Sequence, residues 1–200
     1  MLTPGFHDVP AGHVAAVVTH LTMTARPAPR AASFPEGVTL ERVETPDPAW
    51  YRDLFSRVGA VDWMWFSRLA MSADELAQTL SAPGTEIFAV MRKGRAEGLL
   101  ELDFRNDDSC MLAFFGLTPA VQGTGTGRAL MEAALDRAFA RPIARLDIHT
   151  CTFDSPVALP FYLRSGFAPV RREIQVVPDP RLDGTLPRDG AAHIPVISRK

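Results

Sequence analysis

Two hundred residues suit one domain, and a chain of that length buries enough surface to hold together without disulfide or metal staples. A net charge of −2 with no basic stripe argues against a nucleic-acid partner. No apolar run reaches the ~18 residues of a membrane span. Residues 1–12 read as a loose arm, and 13–23 as a strand apolar on both faces. The Pro- and Ala-rich stretch 25–35 is a linker or surface loop, and 38–44 a short strand. Asp47 then caps a helix with Pro48 in its first turn and Trp50, Leu54, Phe55 and Val58 on one face. An irregular aromatic stretch, 62–66, precedes a second helix opened by the capping box Ser72-Ala73-Asp74-Glu75. Strands follow at 86–92, 96–105 and 109–118, turned at Gly94 and at Asn106-Asp107-Asp108. The central helix spans 125–141 and stops at Pro142. A strand at 145–151, a short helix around Tyr162 and a strand at 168–177 complete the pattern. Residues 178–200 read as an extended, proline-broken tail.

This order predicts a mixed α/β fold built on one central sheet. The boundaries drawn are an N-terminal arm and strand (1–37), a main domain (38–177) and the tail (178–200). Cys110 and Cys151 lie in apolar strand-like runs and read as buried, reduced thiols, which favours the cytoplasm. No basic-then-apolar leader opens the chain. His7, His13, His20, His149 and His193 show no metal-ligand spacing, so no metal is expected.

The stretch around which the chain is organised is Gln122-Gly123-Thr124-Gly125-Thr126-Gly127-Arg128, between an apolar strand and a helix. Glycines let the backbone take positive φ and approach a ligand closely. The first N–H groups of the helix have no intrahelical acceptor and lie at its positive end, which makes an anion site. Thr124 and Thr126 offer hydroxyls and Arg128 a positive charge. A P-loop would need Lys and then Ser or Thr after the last glycine, and a dinucleotide fingerprint would space the glycines differently.

The segment resembles instead the Q/R-x-x-G-x-G/A signature of the GNAT superfamily of N-acetyltransferases. A second motif strengthens the resemblance: Ala158, then Phe161-Tyr162, then Gly166-Phe167. The match covers about residues 85–175. It implies a single GNAT-like domain whose mostly antiparallel sheet splays at two parallel strands, with acetyl-CoA in the gap. The implied coenzyme contacts are the backbone of Phe115 and Leu117, the loop Gln122, Gly123, Thr124, Gly125, Thr126, Gly127 and Arg128, and Ser155. Ser155 stands where the family often has Asn.

The implied reaction is transfer of an acetyl group to a primary amine by direct attack. A non-catalytic acyl-CoA sensor and transfer of a longer acyl group are the alternatives. Tyr162 is the candidate general acid, because a neutral phenol can protonate the leaving thiolate. Period 2 puts Leu99, Glu101 and Asp103 on one strand face. Glu101, a carboxylate on an apolar strand, is the preferred base, with His149 the alternative. Trp63, Trp65, Asp103 and His149 are assigned to the wall of the acceptor site. The acceptor is a small-molecule or peptide amine, and the apolar first strand and extended tail could serve a homodimer contact.

Overall fold

The computed structural model describes residues 3–198; residues 1–2 of the expected arm and 199–200 of the expected tail lie outside it. One sheet runs through the molecule. Its strands are β1 (His13–Met23), β2 (Val38–Arg42), β3 (Thr85–Arg92), β4 (Arg95–Asn106), β5 (Ser109–Leu117), β6 (Arg145–Cys151) and β7 (Ala168–Pro178), in the order β2-β3-β4-β5-β6-β1-β7. Every neighbouring pair is antiparallel except β5 and β6. The expected mixed fold, splayed at two parallel strands, is the one observed. The first strand is integral to it: β1 is hydrogen-bonded on both sides, to β6 and to β7.

Helix α1 (Pro48–Phe55) starts where Asp47 accepts the Trp50 N–H at 2.9 Å. It runs on through a π-helical turn, Ser56–Ala60, into the short α2 (Val61–Trp63). Met64, at φ 57°, ends the run. Ser72 and Glu75 form the expected capping box of α3 (Ala73–Leu80). Tyr51, Leu54, Phe55, Val58, Leu76 and Leu80 from this layer pack on Ile87, Ala89 and Leu99 of one sheet face. The alternate strand residues, Phe88, Val90, Leu100, Leu102, Leu146 and Ile148, point to the other face. There they meet Leu130, Met131, Ala134, Leu135 and Ala138 of α4 (Thr126–Phe139) and Tyr162 of α5 (Ala158–Arg164). Pro160 fits because α5 begins at Ala158, so the ring falls in the first turn, where no backbone N–H bond is lost.

Residues 179–198 are not an extended tail. They fold back over Val14, Ala16, Ala60 and Met64, inserting Leu186 and Ala191. The clasp is an ion pair between Asp179 and Arg181 whose side chains are each 1% exposed. Arg181 Nη1 also donates to the carbonyls of Gly190 at 3.1 Å and Ile194 at 2.8 Å. The proline spacing suggested extension because it shows no periodicity; a buried guanidinium collecting backbone carbonyls supplies the order instead.

One irregularity opens the sheet. β5 and β6 pair only from Ser109 to Met111 against Arg145 to Asp147. Beyond that, Glu101 lies opposite Phe114 and Leu102 opposite Leu112, leaving Ala113 as an extra residue on β5. Such a bulge bends and twists its strand. It also resets the alternation, so Phe115 and Leu117 join Leu112 on the α4 side while Phe114 faces α1.

Candidate active site

The gap between β5 and β6 leads into a cavity of about 960 Å³. At one end lies the glycine loop. Gly123 and Gly125 adopt φ 72° and 92°, and a Cβ at either would meet open space. They are glycine because of their backbone conformation. The backbone N–H groups of 122–127 donate to no acceptor among the described residues. This is the donor set a pyrophosphate needs.

Not every loop side chain points at that site. Gln122 Nε2 folds back to donate to the Leu117 carbonyl at 2.8 Å, tying the loop to the end of β5. Thr126 was expected to offer its hydroxyl to a ligand, yet it is fully buried and shares a 2.7 Å hydrogen bond with Thr124 Oγ1. Thr124 in turn donates to the Val121 carbonyl at 2.8 Å. These hydroxyls shape the loop, which leaves its backbone N–H groups as the donors open to a ligand. Arg128 is exposed on the first turn of α4.

The Thr118 N–H bonds to the Glu97 carbonyl, so by alternation Gly116 and Phe114 also pair toward β4. Phe115 and Leu117 therefore turn their backbone groups to the gap, as expected for an extended ligand added along the strand. The Leu117 carbonyl is already taken by Gln122.

Tyr162 is 7% exposed, its ring boxed by Phe115, Phe161 and Phe167. Its hydroxyl makes no hydrogen bond among the described residues, although the residue lines the cavity. Burial first, and the charge of Asp154 second, push the phenol well above its ordinary value and keep it protonated. Ser155 lines the same cavity, next to α5.

The opposite wall is aromatic. Trp65 sits in a slot made by two glycines: a Cβ on Gly59 would come within 2.1 Å of the indole, and one on Gly116 within 3.0 Å. Its ring packs on Phe55 and Phe114, and its Nε1–H donates to Asp154 Oδ1 at 3.0 Å. Asp154 Oδ2 accepts from Thr150 Oγ1 at 2.7 Å and the Cys151 N–H at 2.9 Å. Trp65 and Asp154 thus link the two sides of the splay. Trp63 lines the cavity as well, its ring 5.9 Å from that of His193 in the folded tail.

Glu101, expected as the base, does not line the cavity. It is 1% exposed and accepts from Tyr51 Oη and Arg68 Nη2, each at 2.5 Å. Both partners compensate a buried charge, which explains a carboxylate on an apolar strand. Arg68, over the Phe114 ring at 5.0 Å, stands between Glu101 and the cavity. Asp103, expected in the acceptor wall, is also absent from it; Arg105 binds its carboxylate and holds it below the usual range. The alternation had put both acids on the correct face. It had no means of showing which charges they meet.

His149 does line the cavity, on the face shared with Trp65. Its cross-strand partner on β1 is His20, with ring centroids 5.7 Å apart. His20 Nε2 donates to Glu173 Oε1 on β7 at 2.6 Å. Arg68, His20, Glu173 and Asp154 were not singled out from the sequence. Only Asp154 had a local signal, since it opens the segment that carries the second motif. Cys151 faces the cavity too, but burial raises its thiol, as it raises that of Cys110 to about 12. Neither is a thiolate at neutral pH.

A family model described as "Acetyltransferase (GNAT) domain" matches residues 57–177. The chain therefore belongs to the GNAT acetyltransferase family. Among solved structures it is similar to a GCN5-related N-acetyltransferase from Sphaerobacter thermophilus, with TM-score 0.63 and 13% identity over 83% of this chain and 53% of that one. A GCN5-related N-acetyltransferase from Kribbella flavida gives TM-score 0.55 and 16% identity over 86% and 63%. The ribosomal-protein-S18-alanine N-acetyltransferase from Escherichia coli gives 0.55 and 20% over 71% and 94%. This chain thus spans only about half of the Sphaerobacter protein. Comparison with curated proteins finds no match.

Proposed function

We propose that this protein transfers an acetyl group from acetyl-CoA to a primary amine, by direct attack with both substrates bound. The observation that carries the reading is the pairing of two features at one gap. The glycine loop and Tyr162 line the same cavity, and among the described residues neither the backbone N–H groups of 122–127 nor the Tyr162 hydroxyl has a hydrogen-bond partner. The coenzyme, when bound, supplies a thioester carbonyl as electrophile. The loop N–H groups would hold its phosphates, and the gap-facing backbone of Phe115 and Leu117 would align its chain. Tyr162 would give its proton to the departing sulfur. Trp63, Trp65 and Phe114 would shield the amine from water. The raised thiols of Cys110 and Cys151 favour direct attack over a cysteine-bound intermediate. The reduced cysteines also suit a cytoplasmic setting.

Thiol release from acetyl-CoA, and then from longer acyl-CoAs, across an amine panel tests the reading. Release that depends on an amine supports it. Coenzyme binding without release would point to a sensor, and preference for a longer chain would revise the acyl group.

A further inference from the structure

A row of polar side chains crosses three strands on the acceptor side of the sheet, beginning at the cavity. His149 on β6 faces His20 on β1 in register, and His20 Nε2 donates to Glu173 on β7 at 2.6 Å. Arg171 grips the other carboxylate oxygen at 2.9 Å. The charged partners behind His20 fix its ring, and His20 in turn backs His149. The carboxylate and both imidazoles line one side of the cavity, and of the two imidazoles His149 is the one without a hydrogen-bond partner among the described residues. Glu101 has no such freedom, because Arg68 and Tyr51 occupy it.

Resting on the acyl-transfer reading, we propose that His149 takes the proton from the acceptor amine, and that His20, held by Glu173, is its positioning residue. An ammonium nitrogen has no lone pair, so one proton must pass to the His149 imidazole before the nitrogen attacks the carbonyl carbon. The C–N bond forms as the C–S bond breaks. The coenzyme thiolate takes a proton from Tyr162, and the second proton lost by the nitrogen goes to the Tyr162 phenolate and restores the phenol. One proton is released to solvent in each cycle, through His149.

The groups facing His149 set how it titrates. On β6 they are Asp147, paired to Arg145 at 2.8 Å, and Cys151. On β1 there is His20, on β7 Arg171 and Glu173, in the following loop Asp154, and across the gap Arg68, already bound to Glu101. Desolvation in the cavity wall lowers the His149 pKa first and the His20 charge lowers it next, against the smaller opposing pull of Asp154 and Glu173. The ring is then neutral and able to accept a proton at pH 7. Below its pKa it is filled, so the rate should fall on the acidic side.

The test is kcat/KM against pH with acetyl-CoA and four amines: an alkyl monoamine, a diamine, an amino-acid amide and a short peptide. His149→Gln should lower kcat/KM at pH 7 by about 10²-fold and erase the acidic limb. The coenzyme-induced rise in melting temperature should persist. His20→Gln takes away the His20 contribution that lowers His149, so the limb should move to higher pH, and the plateau should fall as the support for His149 is lost. Glu101→Gln should leave the limb in place. A limb that survives His149→Gln, stays put in His20→Gln or vanishes in Glu101→Gln overturns the assignment, as does loss of the coenzyme shift in His149→Gln. If the unaltered protein releases no thiol with any amine, the acyl-transfer reading falls and takes the assignment with it.

Discussion

The ring and the hydroxyl of Tyr162 are held by different surroundings, which makes the residue open to a clean test. Phe115, Phe161 and Phe167 pack the ring, and nothing among the described residues binds the oxygen. Tyr162→Phe should therefore leave stability and coenzyme KM nearly unchanged while kcat drops by about 10²-fold. Unchanged turnover would reduce the tyrosine to packing. Glu101 behaves in the opposite way. Glu101→Gln strands the Arg68 guanidinium and should cost about 3 kcal/mol in a urea titration, in the range for breaking a buried pair. A loss below about 0.5 kcal/mol would mean that the Tyr51–Glu101–Arg68 cluster is not holding α1 to the sheet. Strand periodicity made Glu101 stand out, but its partners lie 50 and 33 residues away in the chain. No local pattern joins them.

At the scale of elements, the glycine loop and the folded tail act on different parts of the site. Gly125 is the left-handed N-cap of α4, a conformation that a β-branched side chain resists. Gly125→Val should abolish the coenzyme-induced thermal shift while the unliganded protein remains folded; a retained shift would remove the loop from the coenzyme site. The tail packs beside Met64 and Trp63, which line the cavity. Ala191 N–H donates to the Val61 carbonyl, and Leu186 and Ala191 pack beside Met64, so the clasp buttresses the turn that carries Trp63 and Trp65. Asp179→Ala leaves Arg181 buried without its carboxylate. It should cost about 3 kcal/mol and raise KM for the amine more than for the coenzyme. Equal changes in both would show that the tail stabilises the whole fold without a bias toward the acceptor site. Because Arg181 holds Asp179 below the usual carboxylate range, this contribution is present at neutral pH and is lost as pH falls through the lowered value.

For the whole molecule, the splayed sheet predicts strong linkage between coenzyme and stability. The cradle, the gap and Tyr162 come from β5, α4 and α5, and they exist together only in the folded chain. At a coenzyme concentration 100 times its dissociation constant, binding stabilises by about 2.7 kcal/mol. In a domain of this size that corresponds to a rise in Tm of roughly 5–10 °C. Differential scanning fluorimetry with CoA reads it directly, and no rise at about 1 mM would count against the gap as a coenzyme site.

What the chain determined by itself is whatever rests on neighbouring residues. The glycine loop, the capped helices, the alternation that splits β3 and β4 between two cores and the motif around Tyr162 were all legible. In each, the deciding forces act within a few residues: backbone conformation, capping hydrogen bonds, side-chain period. Tertiary structure alone decided which polar groups meet. It placed β1 between β6 and β7, so that His20 reached both His149 and Glu173. It also spent Glu101 on Arg68, and gave the tail a buried arginine to fold around. The physical reason is that a buried charge is defined by its partners and by the water it loses, and folding brings those from anywhere in the sequence.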